Sequence, residues 1–208
     1  MAYLPGFVND IFISYTHKDN QDSEGDDTGW VSRFHRDLQK RLTELQGIQT
    51  VIWRDRKLGG TDNFTDEIFT QLKNSAILVS ILSPGYDRSI WCQKELEEFQ
   101  KAAMQTGGLQ IGNLVRAVKV VKTPLDEDRH REVLGQALGF EFYERKGDST
   151  KFDEFDPDTK AYKQRLDYLA QDIKRVLEAM KSAKPHKGTV YVAETSSDLK
   201  TEAAKAPG

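Results

Sequence analysis

Trp91 and Glu95 stand four residues apart in Trp91-Cys92-Gln93-Lys94-Glu95-Leu96, a spacing that puts an aromatic face and a carboxylate on the same side of a helix. Such a pair can do chemistry. A ring face stacks on a planar group, and a fixed negative charge stabilises a developing cation. Each residue also has a plainer reading: a glutamate in an early helix turn complements the helix dipole, and a tryptophan is often simply core. Cys92 between them reads as a small buried apolar side chain. Other chemical constellations are missing. The four histidines are scattered without metal-ligand pairing. Residues 57–60 lack the Gly-Lys-Ser/Thr ending of a phosphate loop, and Gly107, Gly108 and Gly112 do not have dinucleotide-fingerprint spacing. No Gly-x-Ser-x-Gly elbow occurs. The acidic run over residues 22–27 fails the EF-hand pattern, so it reads as a solvated loop and no metal site is expected.

The elements that must position Trp91 and Glu95 alternate between strand and helix. Residues 10–14 form a short apolar run rich in β-formers. A loop is expected over residues 18–27, then a helix in which Trp30, Phe34, Leu38, Leu42 and Leu45 recur at helical spacing, stopped by Gly47. A second strand spans 50–53, followed by a loop over 54–62 containing Gly59-Gly60, and by a helix marked by Phe64, Ile68 and Leu72. Residues 76–82, Ala-Ile-Leu-Val-Ser-Ile-Leu, are apolar almost without interruption, as in a strand buried on both faces of a parallel sheet. Ser83-Pro84-Gly85 breaks that strand, and the helix carrying Trp91 and Glu95 runs over about 89–104. A fourth strand is expected over 114–121, a short helix over about 129–138, a fifth strand over 140–143 and a surface loop over 144–158. An amphipathic helix follows, with Tyr162, Leu166, Leu169, Ile173, Val176 and Met180 in register. Alternation of this kind implies parallel strands joined by right-handed crossovers, with ligands bound outside their carboxyl ends.

The bulk numbers suit one domain: 208 residues, 38% hydrophobic and 30% charged. A net charge of −3 gives no electrostatic case for nucleic acid or an anionic membrane. One cysteine excludes an internal disulfide. The start of the chain is not a signal peptide and no stretch reaches the length of a membrane span, so a cytoplasmic protein is expected. The domain is expected over residues 1–183. Residues 184–208 read as a linker followed by Thr189-Val190-Tyr191-Val192-Ala193, either the start of a truncated second domain or a tail.

Three segments together resemble the Toll/interleukin-1 receptor (TIR) family. They are Asp10-Ile11-Phe12-Ile13-Ser14-Tyr15; Trp53-Arg54-Asp55-Arg56-Lys57-Leu58-Gly59-Gly60 leading to Phe64 and Asp66-Glu67-Ile68; and Ser83-Pro84-Gly85-Tyr86 with Trp91-Cys92-Gln93-Lys94-Glu95-Leu96. The resemblance covers about residues 10–181. It implies a flavodoxin-like α/β three-layer sandwich with a five-stranded parallel sheet, and two functional classes: adhesive modules that recruit other TIR domains, and enzymes that cleave NAD at the nicotinamide–ribose bond. The long acidic loop after the first strand looks more like a bacterial member, and such members include antiphage effectors.

For the enzyme class one carboxylate suffices. Most glycosidases protonate a poor leaving group, but nicotinamide in NAD is already cationic and departs neutral, so what remains is a ribosyl cation to stabilise. The resemblance gives that work to Glu95. It places Ser14, Tyr15, Thr16, His17, Asp55, Phe64 and Trp91 around the substrate. Related enzymes carry basic residues just after the strand tyrosine, where this chain has Thr16 and His17. Asp55 has the plainer reading of a loop brace, and Phe64 that of a core residue. NAD is expected as substrate, with no cofactor. The expected partners are other TIR domains, reached through residues 54–66 in a homo-oligomer, and a sensor domain or partner protein. The alternative is a non-catalytic TIR–TIR interaction module.

Overall fold

Continuous apolar runs form the middle of the sheet. In the computed structural model, which describes residues 1–21, 28–55, 62–125, 138–147 and 151–183 (backbone alone at 62–65 and 138), strand β1 is Asn9–Ser14 and strand β3 is Ser75–Leu82, and every residue of both is buried. Strands β2 (Ile52–Arg54), β6 (Ala117–Val121) and β7 (Leu138–Glu141) complete a five-stranded sheet in the order β2-β1-β3-β6-β7, all parallel. Omitting the small strands outside this sheet, the order is that of the flavodoxin-like fold, which reverses direction between β1 and β3. The expected fold class holds.

Side-chain alternation sends Ile11 and Ile13, Val79 and Ile81, and Val118 and Val120 to one face. There they meet helices α1 (Trp30–Gln46) and α5 (Lys160–Ser182). Phe12, Leu78 and Leu82 point the other way, into a second cluster with Leu96 and Phe99 of helix α4 (Ile90–Gln105) and Leu72 of helix α2 (Asp62–Lys73). Gly47 ends α1 in the left-handed conformation at φ 69°, where its N–H donates to the Thr43 carbonyl at 2.9 Å.

The structure departs from the sequence expectations in several places. Residues 17–20 form a short 3-10 turn at the start of the loop expected over 18–27. Ser83-Pro84-Gly85 does more than break the strand. Ser83 caps a four-residue helix, α3 (Pro84–Asp87), by accepting from the Tyr86 N–H at 3.1 Å. The expected strand over 114–121 is two strands. Leu114–Val115 (β5) pairs antiparallel with Gln110–Ile111 (β4), and β6 begins only after Arg116. Arg116, 1% exposed, stands at the division. Its guanidinium turns inward to donate to the carbonyls of Ala76 at 2.8 Å, Gly108 at 3.1 Å and Thr106 at 3.2 Å. Burial lowers its pKa to about 10, so it remains a cation at neutral pH. The surface loop expected over 144–158 contains a hairpin, Tyr143–Arg145 (β8) against Phe152–Glu154 (β9). The fifth strand ends at Glu141, so Tyr143 belongs to that hairpin. The helix expected over 129–138 lies outside the described residues apart from Leu138, which is strand. The tail after residue 183 and the Gly59-Gly60 loop also lie outside them.

Candidate active site

At the reversal point of the sheet Ser14, the last residue of β1, lies in register with Ser80 of β3. The chain after each strand then builds the rim. After β3, Ser83 donates to Asp19 Oδ2 at 2.6 Å, and Thr16 from the loop after β1 donates to the same oxygen at 2.6 Å. Lys122, just past β6, approaches Asp19 at 3.8 Å and Glu154 at 3.2 Å. One aspartate thus ties together the loops that leave three adjacent strands.

A second brace lies beneath the loop after β2. Arg54 is buried. It donates from Nε to His35 Nδ1 at 3.1 Å, from Nη2 to Ser32 at 2.8 Å and from Nη1 to the Tyr15 hydroxyl at 3.0 Å. The Tyr15 hydroxyl in turn donates to the Asp55 carbonyl. The Asp55 carboxylate is 3.4 Å from His17 Nε2.

Glu95 enters this setting from α4, which starts at the Ser89 cap. Its carboxylate accepts from the Ser14 hydroxyl. The residue is half-buried, and burial is the largest influence on its ionisation. Loss of solvent and the nearby Asp55 charge favour the neutral acid, the Ser14 bond and His17 favour the carboxylate, and the balance lifts Glu95 to about 7. Cys92, one turn earlier, is buried and its thiol is pushed up to about 12, chiefly by burial.

The residues named from the sequence divide into groups. Ser14, Glu95, His17 and Asp55 are brought together. Trp91 is 51% exposed, which removes the core reading for it, and the Lys94 ammonium sits 5.0 Å from its ring centre. Thr16 turns to Asp19, and Tyr15, 8% exposed, turns to Asp55 and Arg54, so both brace the rim. Ser14 is 1% exposed and faces Glu95 rather than solvent. Phe64 lies in α2, but its side chain is outside what is described. Sequence reasoning missed Asp19, Arg54, Tyr86 and Ser80 as parts of the site. Only Tyr86 carried a local signal, three residues after the capping Ser83. Among the described residues no group of three His, Cys, Asp or Glu side chains is placed to hold a metal ion.

A cavity of about 720 Å³ opens at the opposite end of the sheet, lined by Leu4, Phe7, Thr106, Ile111 and Met180 among others. Its lining holds no carboxylate.

A family model described as "TIR domain" matches residues 11–134, more than half of the chain; it begins within β1 and takes in β2, β3, Asp55, Trp91 and Glu95. The chain belongs to the TIR-domain family. Among solved structures, this TIR domain is similar to the TIR domains of the activated Roq1 resistosome directly recognising the pathogen effector XopQ. The identity is 17%, 83% of this chain and 81% of that one are covered, and the TM-score is 0.40. A search of curated proteins finds no match. Among the described residues of this TIR domain no helix is long and apolar enough to cross a membrane.

Proposed function

We propose that this TIR domain is an NAD glycohydrolase, releasing nicotinamide and leaving ADP-ribose or a cyclic isomer. The observation that carries the reading is Glu95: a carboxylate at the sheet's reversal point, anchored through one oxygen by Ser14 and ionising near neutral pH. In the reaction the bond between the nicotinamide nitrogen and the ribose carbon breaks. Both electrons go to the ring nitrogen, so nicotinamide leaves neutral. The ribosyl cation left behind is stabilised by the Glu95 charge and captured by water, which loses a proton, or by a nucleophile within the ADP-ribose itself. Exposed Trp91, one helical turn before Glu95, supplies a face for a flat ring. His17 and Asp55 border the ribose side, and Phe64 is assigned to the same wall by family resemblance alone. Assembly with further TIR domains through the region of residues 54–66, as a homo-oligomer switched on by a sensor, is part of the proposal, as is a role as a cytoplasmic defence effector.

Concentrated protein incubated with NAD should release free nicotinamide, and Glu95→Gln should lower that release by at least about a hundredfold, the scale of losing an electrostatic stabiliser. Undiminished turnover in folded Glu95→Gln removes Glu95 from catalysis. A non-catalytic TIR–TIR interaction module is the second reading. It is favoured by the loop after β1, where Thr16 is turned to Asp19, His17 to Asp55, and neither is a lysine or arginine. No nicotinamide from a tethered, concentrated protein would decide for the interaction module.

A further inference from the structure

We propose that Ser80, Tyr86 and Ser14 form a one-way chain of buried hydroxyls that orients the Glu95 carboxylate and supports its charge, which makes them positioning residues rather than substrate contacts. Ser14 and Ser80 are neighbours across the β1–β3 pairing. Tyr86 reaches back from α3 so that its hydroxyl oxygen is 3.0 Å from Ser80 Oγ and 3.4 Å from Ser14 Oγ. The three residues are 1%, 0% and 2% exposed for Ser14, Ser80 and Tyr86. Gly85 beside Tyr86 packs closely on the loop after β1. A Cβ there would stand 3.1 Å from Thr16 Oγ1 and 3.4 Å from Ser83 Oγ.

The direction follows from counting protons. Each hydroxyl has one to give and two lone pairs to receive with. An ionised carboxylate only accepts, so Ser14 must spend its single proton on Glu95. Ser14 then receives from Tyr86, and the Tyr86 oxygen is left to receive from Ser80. Every hydroxyl donates towards the carboxylate, and each polarises the next. When Glu95 takes a proton the order is free to reverse, with Ser80 as the final acceptor. The other groups bearing on Glu95 do not replace the chain. Asp55 opposes its charge, His17 supports it from the rim, Asp19 is committed to Thr16 and Ser83, and burial keeps Cys92 and Tyr86 neutral.

The catalytic meaning of the chain rests on the NAD-cleavage reading, but its test does not need substrate. Glutamate carboxyls labelled with carbon-13 can be titrated by NMR in the full chain, with the Glu95 resonance identified by its loss in Glu95→Gln. Tyr86→Phe removes one oxygen and keeps the ring. Its Glu95 midpoint should rise by at least about half a pH unit, with a smaller rise in Ser80→Ala and a larger one in Ser14→Ala. A Leu82→Val control in the same apolar cluster should lower the melting temperature without moving the midpoint. An unmoved or lowered midpoint in folded Tyr86→Phe overturns the chain, and Ser80→Ala decides alone if the Phe variant does not fold. A raised midpoint in a protein that never cleaves NAD keeps the hydroxyl chain and removes the glycohydrolase reading. An unmoved midpoint in a protein that does cleave NAD does the reverse.

Discussion

Glu95 takes up a proton near pH 7 because burial outweighs the Ser14 hydrogen bond, and this has consequences for activity and for stability. Stabilising a ribosyl cation needs the charged form. NAD cleavage should therefore climb as pH rises through about 7 and level off above it; a pH–rate profile at saturating NAD checks this. The stability effect has the opposite sense. The folded pKa lies above the ordinary glutamate value of 4.5, so the contribution is fully present below that value and is lost as pH rises through about 7. Glu95→Gln should raise the melting temperature at pH 8, by a stabilisation on the order of 1–3 kcal/mol, and have little effect at pH 4. Equal shifts at both pH values would show that charge is not the cause. Trp91 gives a separate test. Since it is exposed, Trp91→Ala should impair cleavage more than it lowers the melting temperature, and Trp91→Phe should keep part of the activity because a ring face remains. If Trp91→Ala leaves cleavage unchanged, the tryptophan does not hold substrate.

The rim elements are held by close packing that a single methyl group can disturb. Gly29 caps α1, and a Cβ there would fall 1.8 Å from the Asn20 carbonyl oxygen, with the Asn20 side chain bonded to Ser32 of the same helix. Gly29→Ala should cost at least about 2 kcal/mol in chemical denaturation, as an overpacking change that must move backbone. An unchanged denaturation midpoint would mean the 3-10 turn yields freely. These contacts also mark how far the sequence could be read. The run over 76–82 announced the central strand because a strand covered on both faces needs no alternation. The division at Arg116 could not be read, since an arginine inside an apolar run looks like one outward-facing strand position. It is buried only because the carbonyls of Ala76, Thr106 and Gly108 converge on it from elsewhere in the chain. The site was legible to the same degree. Trp91 and Glu95 were visible through spacing within one helix, whereas Ser80 was hidden in the most apolar strand. The pairing of Ser14 with Ser80 joins residues distant in the chain, and the sheet alone makes it.

For the molecule as a whole, two cores on either side of one sheet are each closed by helices within residues 30–182, α1 and α5 on one face and α2 and α4 on the other. Truncation after Ala183 should therefore shift stability by less than about 1 kcal/mol; a large drop in melting temperature would show that the later residues pack on the domain. Specific activity towards NAD should rise with protein concentration or artificial tethering, because the proposed function includes assembly with further copies through residues 54–66. A flat response across a wide dilution series would place the whole site in one subunit. The two ends of the sheet also differ in how they are closed. At the amino end of the strands buried side chains grip the backbone: Arg116 gathers the carbonyls of Ala76, Thr106 and Gly108, and the Asp10 carboxylate accepts from the amides of Tyr3, Leu4 and Val51. At the carboxyl end the loops are joined mainly side chain to side chain, Thr16 and Ser83 to Asp19, and Lys122 to Asp19 and Glu154. Local opening should thus begin at the carboxyl rim, with backbone amides around residues 15–20 and 83–87 exchanging with solvent while those beside Arg116 and Asp10 stay protected.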